Sequence, residues 1–213
     1  MTTRRFVTLL IATLKGGTRK STTAMMLAFA YALRGFEVLV VDADAGTQGV
    51  TDWASRVYAA DGELPFHVVQ WAPHLGLLVP FIQEAARRTG ATIVIVDVGG
   101  EHPEVLKQAA ILADLAVSPI GAEQAELGRI EATATVLAKT PMRVLLTRVP
   151  AVGLGKAAAA RESLAAAGYS VMKTETPQNL AVYADIWGSV PAQLGAYEQL
   201  ADELNLGHRK AGR

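Results

Sequence analysis

Lys15-Gly16-Gly17-Thr18-Arg19-Lys20-Ser21-Thr22 is the stretch whose reading decides the fold. Before it, Phe6 to Ala12 is an apolar run that reads as a buried strand. After it, Thr23 to Leu33 is rich in Ala, Met and Leu and reads as a helix. Strand, glycine loop and helix in that order aim backbone N–H groups and the positive end of a helix at one point, which suits a phosphate. At such a point Lys20 sits on the β- and γ-phosphates and the Ser21 hydroxyl holds Mg²⁺. A plain Gly-Gly turn accounts for the glycines, but not for Lys-Ser-Thr at the helix entrance behind a buried strand.

The same alternation continues outward. Strands are expected at Glu37–Val41, Phe66–Gln70, Thr92–Val96, Leu115–Ser118 (ended by Pro119), Met142–Thr147 and Tyr169–Lys173. Helices are expected at Thr47–Ala60, His74–Arg88, Glu104–Leu112, Ala122–Lys139, Gly155–Ala167 and Pro191–Leu206, with Gly35, Gly90 and Gly168 as stops. Most strands are continuously apolar, so the fold class is α/β: a mostly parallel twisted sheet with helices on both faces. Ligands in such sheets lie at the carboxyl ends of strands. Lys20, Asp44, Asp97 and Arg148 all fall just after strand ends.

With 213 residues, 51% of them hydrophobic, the chain suffices for one domain with a sizeable core and is not a disordered tail. No linker splits residues 1–213, and a flexible basic tail is expected over 207–213. Twenty basic and twenty acidic residues cancel, which argues against a constitutive, strongly cationic nucleic-acid binder. Without cysteine there is neither a disulfide framework nor a Cys-based zinc site, and the composition is compatible with the cytoplasm. Residues 1–5 carry two arginines before an apolar run, but that run soon meets Lys15 and offers no convincing cleavage site, so a secretory leader is not expected. No apolar stretch reaches the roughly 18 residues of a membrane span. His67, His74, His102 and His208 show no close metal-ligand spacing, and Trp53, Trp71 and Trp187 read as packing residues.

Two acidic sites complete the phosphate loop. Ile93-Val94-Ile95-Val96-Asp97 is an apolar strand ending in aspartate, the form of a Walker B, whose carboxylate holds Mg²⁺ directly or through water. The following Val98-Gly99-Gly100 lets a loop move with the γ-phosphate. Asp42 and Asp44 end the second strand, and alternate strand residues face one side, so both carboxylates can point at one site. An N-cap accounts for one of them but not the pair.

The loop departs from a standard Walker A, with Leu14 and Arg19 at the two glycine positions and Lys15 opening it. Lys-Gly-Gly-x-x-Lys-Ser/Thr resembles the deviant Walker A of the ParA/MinD family of ATPases, and the likeness covers nearly the whole chain. The resemblance implies a P-loop NTPase fold, ATP/ADP and Mg²⁺ as cofactors, and residues 15–22 (Lys15, Gly16, Gly17, Thr18, Arg19, Lys20, Ser21, Thr22) at the nucleotide. It gives Lys15 the role of reaching a partner subunit's ATP, with Lys20 and Lys15 stabilising charge on the transferred phosphoryl group. Val41-Asp42-Ala43-Asp44 resembles the family's Asp-x-Asp switch, in which Asp44 orients the attacking water and Asp42 supports the metal shell; Ser21, Asp42, Asp44 and Asp97 form the implied metal set. Ala45-Gly46-Thr47 stands before Gln48 where most relatives continue directly with Pro-Gln, so the switch loop is longer. Thr176-Pro177-Gln178-Asn179-Leu180, with Gly188-Ser189-Val190-Pro191 beyond, resembles the segment that borders the adenine, and Arg148 stands where relatives stack a side chain on the base.

Relatives carry glycine where this chain has Arg19. A positive φ there would strain an arginine by roughly 1–3 kcal/mol. Natural chains rarely keep such a cost uncompensated, so a loop relaxed to an ordinary conformation is expected, with Arg19 adding a cation near the triphosphate. The short chain, without an N-terminal helix-turn-helix extension, is most similar to the small plasmid-partition ParA proteins. The resemblance then implies a cytoplasmic, nucleoid-associated ATPase, weakly active and stimulated by its partners. It dimerises on ATP, binds DNA non-specifically in the ATP state, and works with a ParB-like or other small centromere-binding protein. No basic amphipathic terminal helix is evident, so no membrane role is expected. Two alternatives remain at this point: a positioning ATPase for a protein cargo such as a carboxysome, and a nucleotide-locked dimerisation scaffold that does not hydrolyse.

Overall fold

The computed structural model describes residues 6–150, 155–178 and 186–208. Seven strands, β1 (Val7–Ile11), β2 (Val38–Ala43), β3 (His67–Gln70), β4 (Ile93–Val98), β5 (Leu115–Ile120), β6 (Met142–Leu146) and β7 (Ser170–Val171), form one sheet in the order β3-β2-β4-β1-β5-β6-β7. Every pairing is parallel. The helices are α1 (Lys20–Ala32), α2 (Gly49–Ala59), α3 (Leu78–Thr89), α4 (Pro103–Ala110), α5 (Gln124–Leu137), α6 (Gly155–Ala166) and α7 (Ala196–Leu204). The architecture is that of a P-loop NTPase.

Every residue of β1, β2, β4 and β5 is buried, as a strand covered on both faces requires. Alternation divides them between two cores. Leu9, Ile11, Val38, Val40, Ile93 and Ile95 pack with α1, α2 and α7. Leu10, Leu39, Val41, Val94 and Val96 pack with residues of α3 and α4 on the other face. Leu9, Leu10 and Ile11 are fully buried, each worth about 1.5–3 kcal/mol of transfer free energy. Helix α1 is buried along nearly its whole length. Helix α7 covers its outer side, where the Tyr31 hydroxyl donates to the Ala201 carbonyl at 3.1 Å.

Several boundaries differ from the sequence expectation, each for a local reason. Strand β5 runs through Pro119 to Ile120. Its pairing with β1 ends at Val117, so the side of Pro119 that lacks an N–H faces no strand, while its carbonyl accepts from the Thr13 hydroxyl at 2.8 Å. Helix α2 begins at Gly49 rather than Thr47 because Asp44 captures the Gly46 and Thr47 N–H groups and Gln48 takes a positive φ of 49°. Gly76 (φ 92°) separates a short 3-10 turn, Pro73–Leu75, from α3. Strand β7 is only two residues long because the Lys173 and Thr174 N–H groups leave the ladder for the Glu203 carboxylate, at 2.7 and 2.9 Å. The closing helix starts at Ala196, after Gly195 at φ 56°, not at Pro191. Of the tail expected over 207–213, Gly207 belongs to a 3-10 turn against Phe36, and 209–213 lie outside the described residues. Among the described residues no helix is long and apolar enough to cross a membrane.

Candidate active site

The chain leaves β1 toward α1 and β2 on one side and leaves β4 toward α4 and β5 on the other, so the connections diverge at the carboxyl ends of the central strands. A cleft of about 480 Å³ opens there, lined by Gly16 to Thr22, Asp44, Gly46, Thr47, Gly100, Glu101, His102 and Trp187. The N-terminus of α1 points into it with no side-chain cap and no acidic residue in its first turn. The free N–H groups and the positive helix pole are thus left for an anion.

Arg19, the residue before α1, sits at φ 65°, ψ 33°, in the left-handed region. The expected relaxation to an ordinary conformation does not occur. In this conformation the Arg19 carbonyl accepts the Thr23 N–H at 2.9 Å, the first bond of the helix. Gln48 and Arg148, near the carboxyl ends of β2 and β6, are also non-glycine residues at positive φ. Asp61, Ala138 and Asn205, after the carboxyl ends of helices, share it, so the geometry is not peculiar to the cleft.

Lys20 is buried, and its Nζ donates to the Lys15 carbonyl at 2.8 Å. Burial lowers its pKa, opposed by the charges of Asp97 and Asp44. The Lys15 backbone lies against the loop after β4: a Cβ on Gly100 would come within 2.6 Å of it, so that position admits only glycine without a shift.

Asp97 and Asp42 are register partners on adjacent strands. Both follow, by alternation, residues packed on the α1 face. Asp97 is fully buried, and both its carboxylate oxygens lack a hydrogen-bond partner. Burial pushes its pKa up to about 7; the nearby Ser21 hydroxyl opposes the rise, as does Lys20, while Asp42 and Asp44 add to it. Asp42 is better satisfied, accepting from the Thr51 N–H and hydroxyl, both at 2.8 Å, and from the Asp44 N–H at 3.1 Å; burial still raises its pKa. Asp44 folds its own loop, accepting the Gly46 and Thr47 N–H groups at 3.0 and 3.2 Å and the Thr47 hydroxyl at 2.7 Å. Burial acts to raise its pKa, but these donors and Lys20 hold it below the usual range.

The orphaned Asp97 carboxylate beside a serine hydroxyl suits Mg²⁺, which is held by one or two carboxylates, waters and substrate phosphates rather than by a protein cage. Among the described residues no group of three or more His, Cys, Asp or Glu is placed to hold a metal ion, so Asp42, Asp44 and Asp97 do not form one cluster of ligands.

Lys15 and Arg148 meet on a residue that the sequence did not single out. Glu126, in the first turn of α5, is 4% exposed; its carboxylate accepts from Lys15 Nζ at 2.8 Å, from Arg148 and from the Gly121 N–H. Arg148 is therefore engaged with Glu126, and at 3.9 Å with Glu123, rather than extended toward a base. Pro177 and Gln178 do join the Arg148 segment, through a Val149–Pro177 bridge and the Gln178 N–H donating to the Val149 carbonyl at 2.8 Å. Neither they nor Arg148 line the cleft. Asn179 and Leu180 lie outside the described residues. Glu101, His102 and Trp187 line the cleft although the sequence marked none of them for it. Only Glu101 and His102 carried a signal, by following Gly99-Gly100.

Residues 9–185 match the family model described as the CobQ/CobB/MinD/ParA nucleotide binding domain. The chain belongs to this family. Solved structures with the same ParA/MinD fold include a plasmid partition protein of Borrelia burgdorferi B31 bound to AMPPNP (TM-score 0.73, 14% identity, covering 94% of this chain and 98% of that one). The MinD chain of the Aquifex aeolicus MinC:MinD cell division complex aligns at TM-score 0.74 and 15% identity, over 97% and 98% of the two chains. A variant of Cyanothece McdA in complex with ATP aligns at TM-score 0.66 and 16% identity, over 98% and 99%. No curated protein matches the chain in sequence.

Proposed function

We propose that this ParA/MinD-family chain is a ParA-type ATPase that dimerises around ATP and moves plasmid or chromosomal DNA with a small centromere-binding partner. The observation that carries the catalytic part is an uncapped helix N-terminus bearing Lys20 at the cleft, with the orphaned carboxylate of Asp97 fully buried behind it, near Ser21 and Lys20. On this reading the triphosphate takes the place of the Lys15 carbonyl as partner of Lys20, and the N–H groups around Gly16 to Thr22 surround it. Ser21 and Asp97, backed by Asp42 and Asp44, would hold Mg²⁺, which supplies charge neutralisation at the phosphates. Asp44 is the group that orients water. Its present bonds to Gly46 and Thr47 couple that carboxylate to the switch loop, so loop and water position change together. Lys15 acts in trans, on the nucleotide of a second copy. Nucleotide-bound partition and McdA structures with this fold support the ATP-dependent state.

Calorimetric titration of ATP and ADP with Mg²⁺, with mass measurement in each state, tests the binding and the dimer. Phosphate release with and without DNA tests the turnover. The expected result is a monomer that doubles in mass only with ATP and releases phosphate faster on DNA. Absence of ATP binding would overturn the assignment. Binding and dimerisation without phosphate release would turn it into a scaffold.

A further inference from the structure

The Lys15–Glu126 contact is built rather than incidental. Glu126 is nine-tenths buried, whereas the Lys15 side chain keeps 34% of its surface exposed, so the acid is fixed and the base reaches to it. Helix α5 holds the same arm a second time, because the Thr133 hydroxyl accepts the Leu14 N–H at 3.1 Å. Space for the carboxylate is made at Gly121: a Cβ there would come within 2.2 Å of Glu123, 2.6 Å of Arg148 and 3.0 Å of Glu126. Burial acts to raise the Glu126 pKa, but the donors from Lys15, Gly121 and Arg148 leave it below the usual range, so the acceptor is charged at neutral pH.

This geometry has a consequence for a lysine that must act elsewhere. An ammonium bonded to Glu126 of its own subunit cannot at the same time reach a nucleotide in another. Glu126 is also arranged to survive the departure of Lys15. Arg148 and the Gly121 N–H remain as donors, so release does not strand a bare buried carboxylate. We infer that Glu126 is a latch acting in cis: it holds Lys15 within its own subunit and sets the threshold at which the ATP-bound dimer forms. The inference rests on the reading of Lys15 as a residue acting in trans. Arg148 serves as a stay that keeps the acid in place whether the lysine is latched or released.

The test uses the full chain with Mg²⁺ and AMPPNP, following mass by sedimentation velocity across a protein concentration series. Four forms are compared: the parent, Glu126→Gln, Lys15→Gln and the double variant, each checked for folding by its thermal melt. Glu126→Gln removes the charge that retains Lys15 in each of two subunits, so the concentration at half-dimer should fall by about a hundredfold, roughly tenfold for each charge-assisted hydrogen bond released. In the Lys15→Gln background, whose dimer is weaker for want of the trans contact and is followed to correspondingly higher protein concentration, the same change should do nothing, because there is no ammonium to hold. That dependence separates a latch from a packing residue, which would shift both backgrounds alike.

A parent that dimerises with a Glu126→Gln variant no tighter than it, or an equal shift in both backgrounds, overturns the latch and leaves the dimer intact. If the parent stays monomeric while Glu126→Gln dimerises, the latch is supported. If neither dimerises, the trans role of Lys15 falls and the latch with it. Should Glu126→Gln not fold, Glu126→Asp retracts the carboxylate by one methylene and should also tighten the dimer. Failure of both variants to fold makes Glu126 a structural staple and overturns the latch.

Discussion

Arg19 offers the sharpest quantitative test of the loop geometry. Its backbone sits at φ 65°, ψ 33°, where a residue with a Cβ is disfavoured by about 1–2 kcal/mol relative to glycine. Arg19→Gly removes that strain from the folded state. It also loosens the unfolded chain, which costs about 0.4–1 kcal/mol. The balance favours glycine by something on the order of 1 kcal/mol, or about 2–4 °C in melting temperature for a domain of this size. Losing the guanidinium has its own effect, so the proper reference is Arg19→Ala, which loses the side chain but keeps the Cβ. Differential scanning calorimetry should therefore place Arg19→Gly about 2–4 °C above Arg19→Ala. A glycine variant melting at or below the alanine variant would show that the left-handed turn is not strained, and the reasoning would fail. Strain present both with and without nucleotide cancels from the binding equilibrium, so ATP affinity of Arg19→Gly should stay within about tenfold of the parent, as measured by calorimetric titration.

Lys20→Ala removes a buried ammonium from the cleft and should abolish ATP binding; unchanged affinity would reject the phosphate-loop assignment. Asp44→Ala should retain ATP binding and slow phosphate release while trapping the dimer, since it removes the carboxylate that also ties down Gly46 and Thr47. Turnover equal to the parent would move the water-positioning role elsewhere in the loop. If the proposed function holds, DNA binding should require ATP and weaken steeply with salt, because a chain of zero formal net charge would have to gather its phosphate contacts from two copies. A flat salt response, or equal binding without nucleotide, would reject it.

What was legible in the sequence is what local physics writes there. The buried strands are unbroken apolar runs, and the order strand, Gly-Gly loop, Lys-Ser-Thr, helix places the phosphate loop from residue types alone. Asp97 was equally plain as the polar end of the apolar run that became β4. Alternation within the second strand was read for Asp42 and Asp44; that Asp97 stands beside Asp42 on the α1 face follows from the pairing of β2 with β4. Each of these readings depends on neighbours a few residues away, and such neighbours constrain backbone and side-chain direction whatever the rest of the chain does.

The parts decided only by tertiary structure involve residues distant in sequence. Glu126 looked like any acidic residue in a helical stretch. It became the anchor of Lys15 and Arg148 because β5 places the start of α5 beside the loop after β1. Pro119 looked like a strand end, and is tolerated inside β5 because β1 stops first. The position of Arg19 was known but its φ was not, since a residue pattern does not fix the path by which the loop from β1 enters α1. A one-dimensional pattern specifies which segments are apolar and which residues are chemically capable. Which charge meets which, and which backbone must bear strain, follows from the order in which the strands are laid side by side.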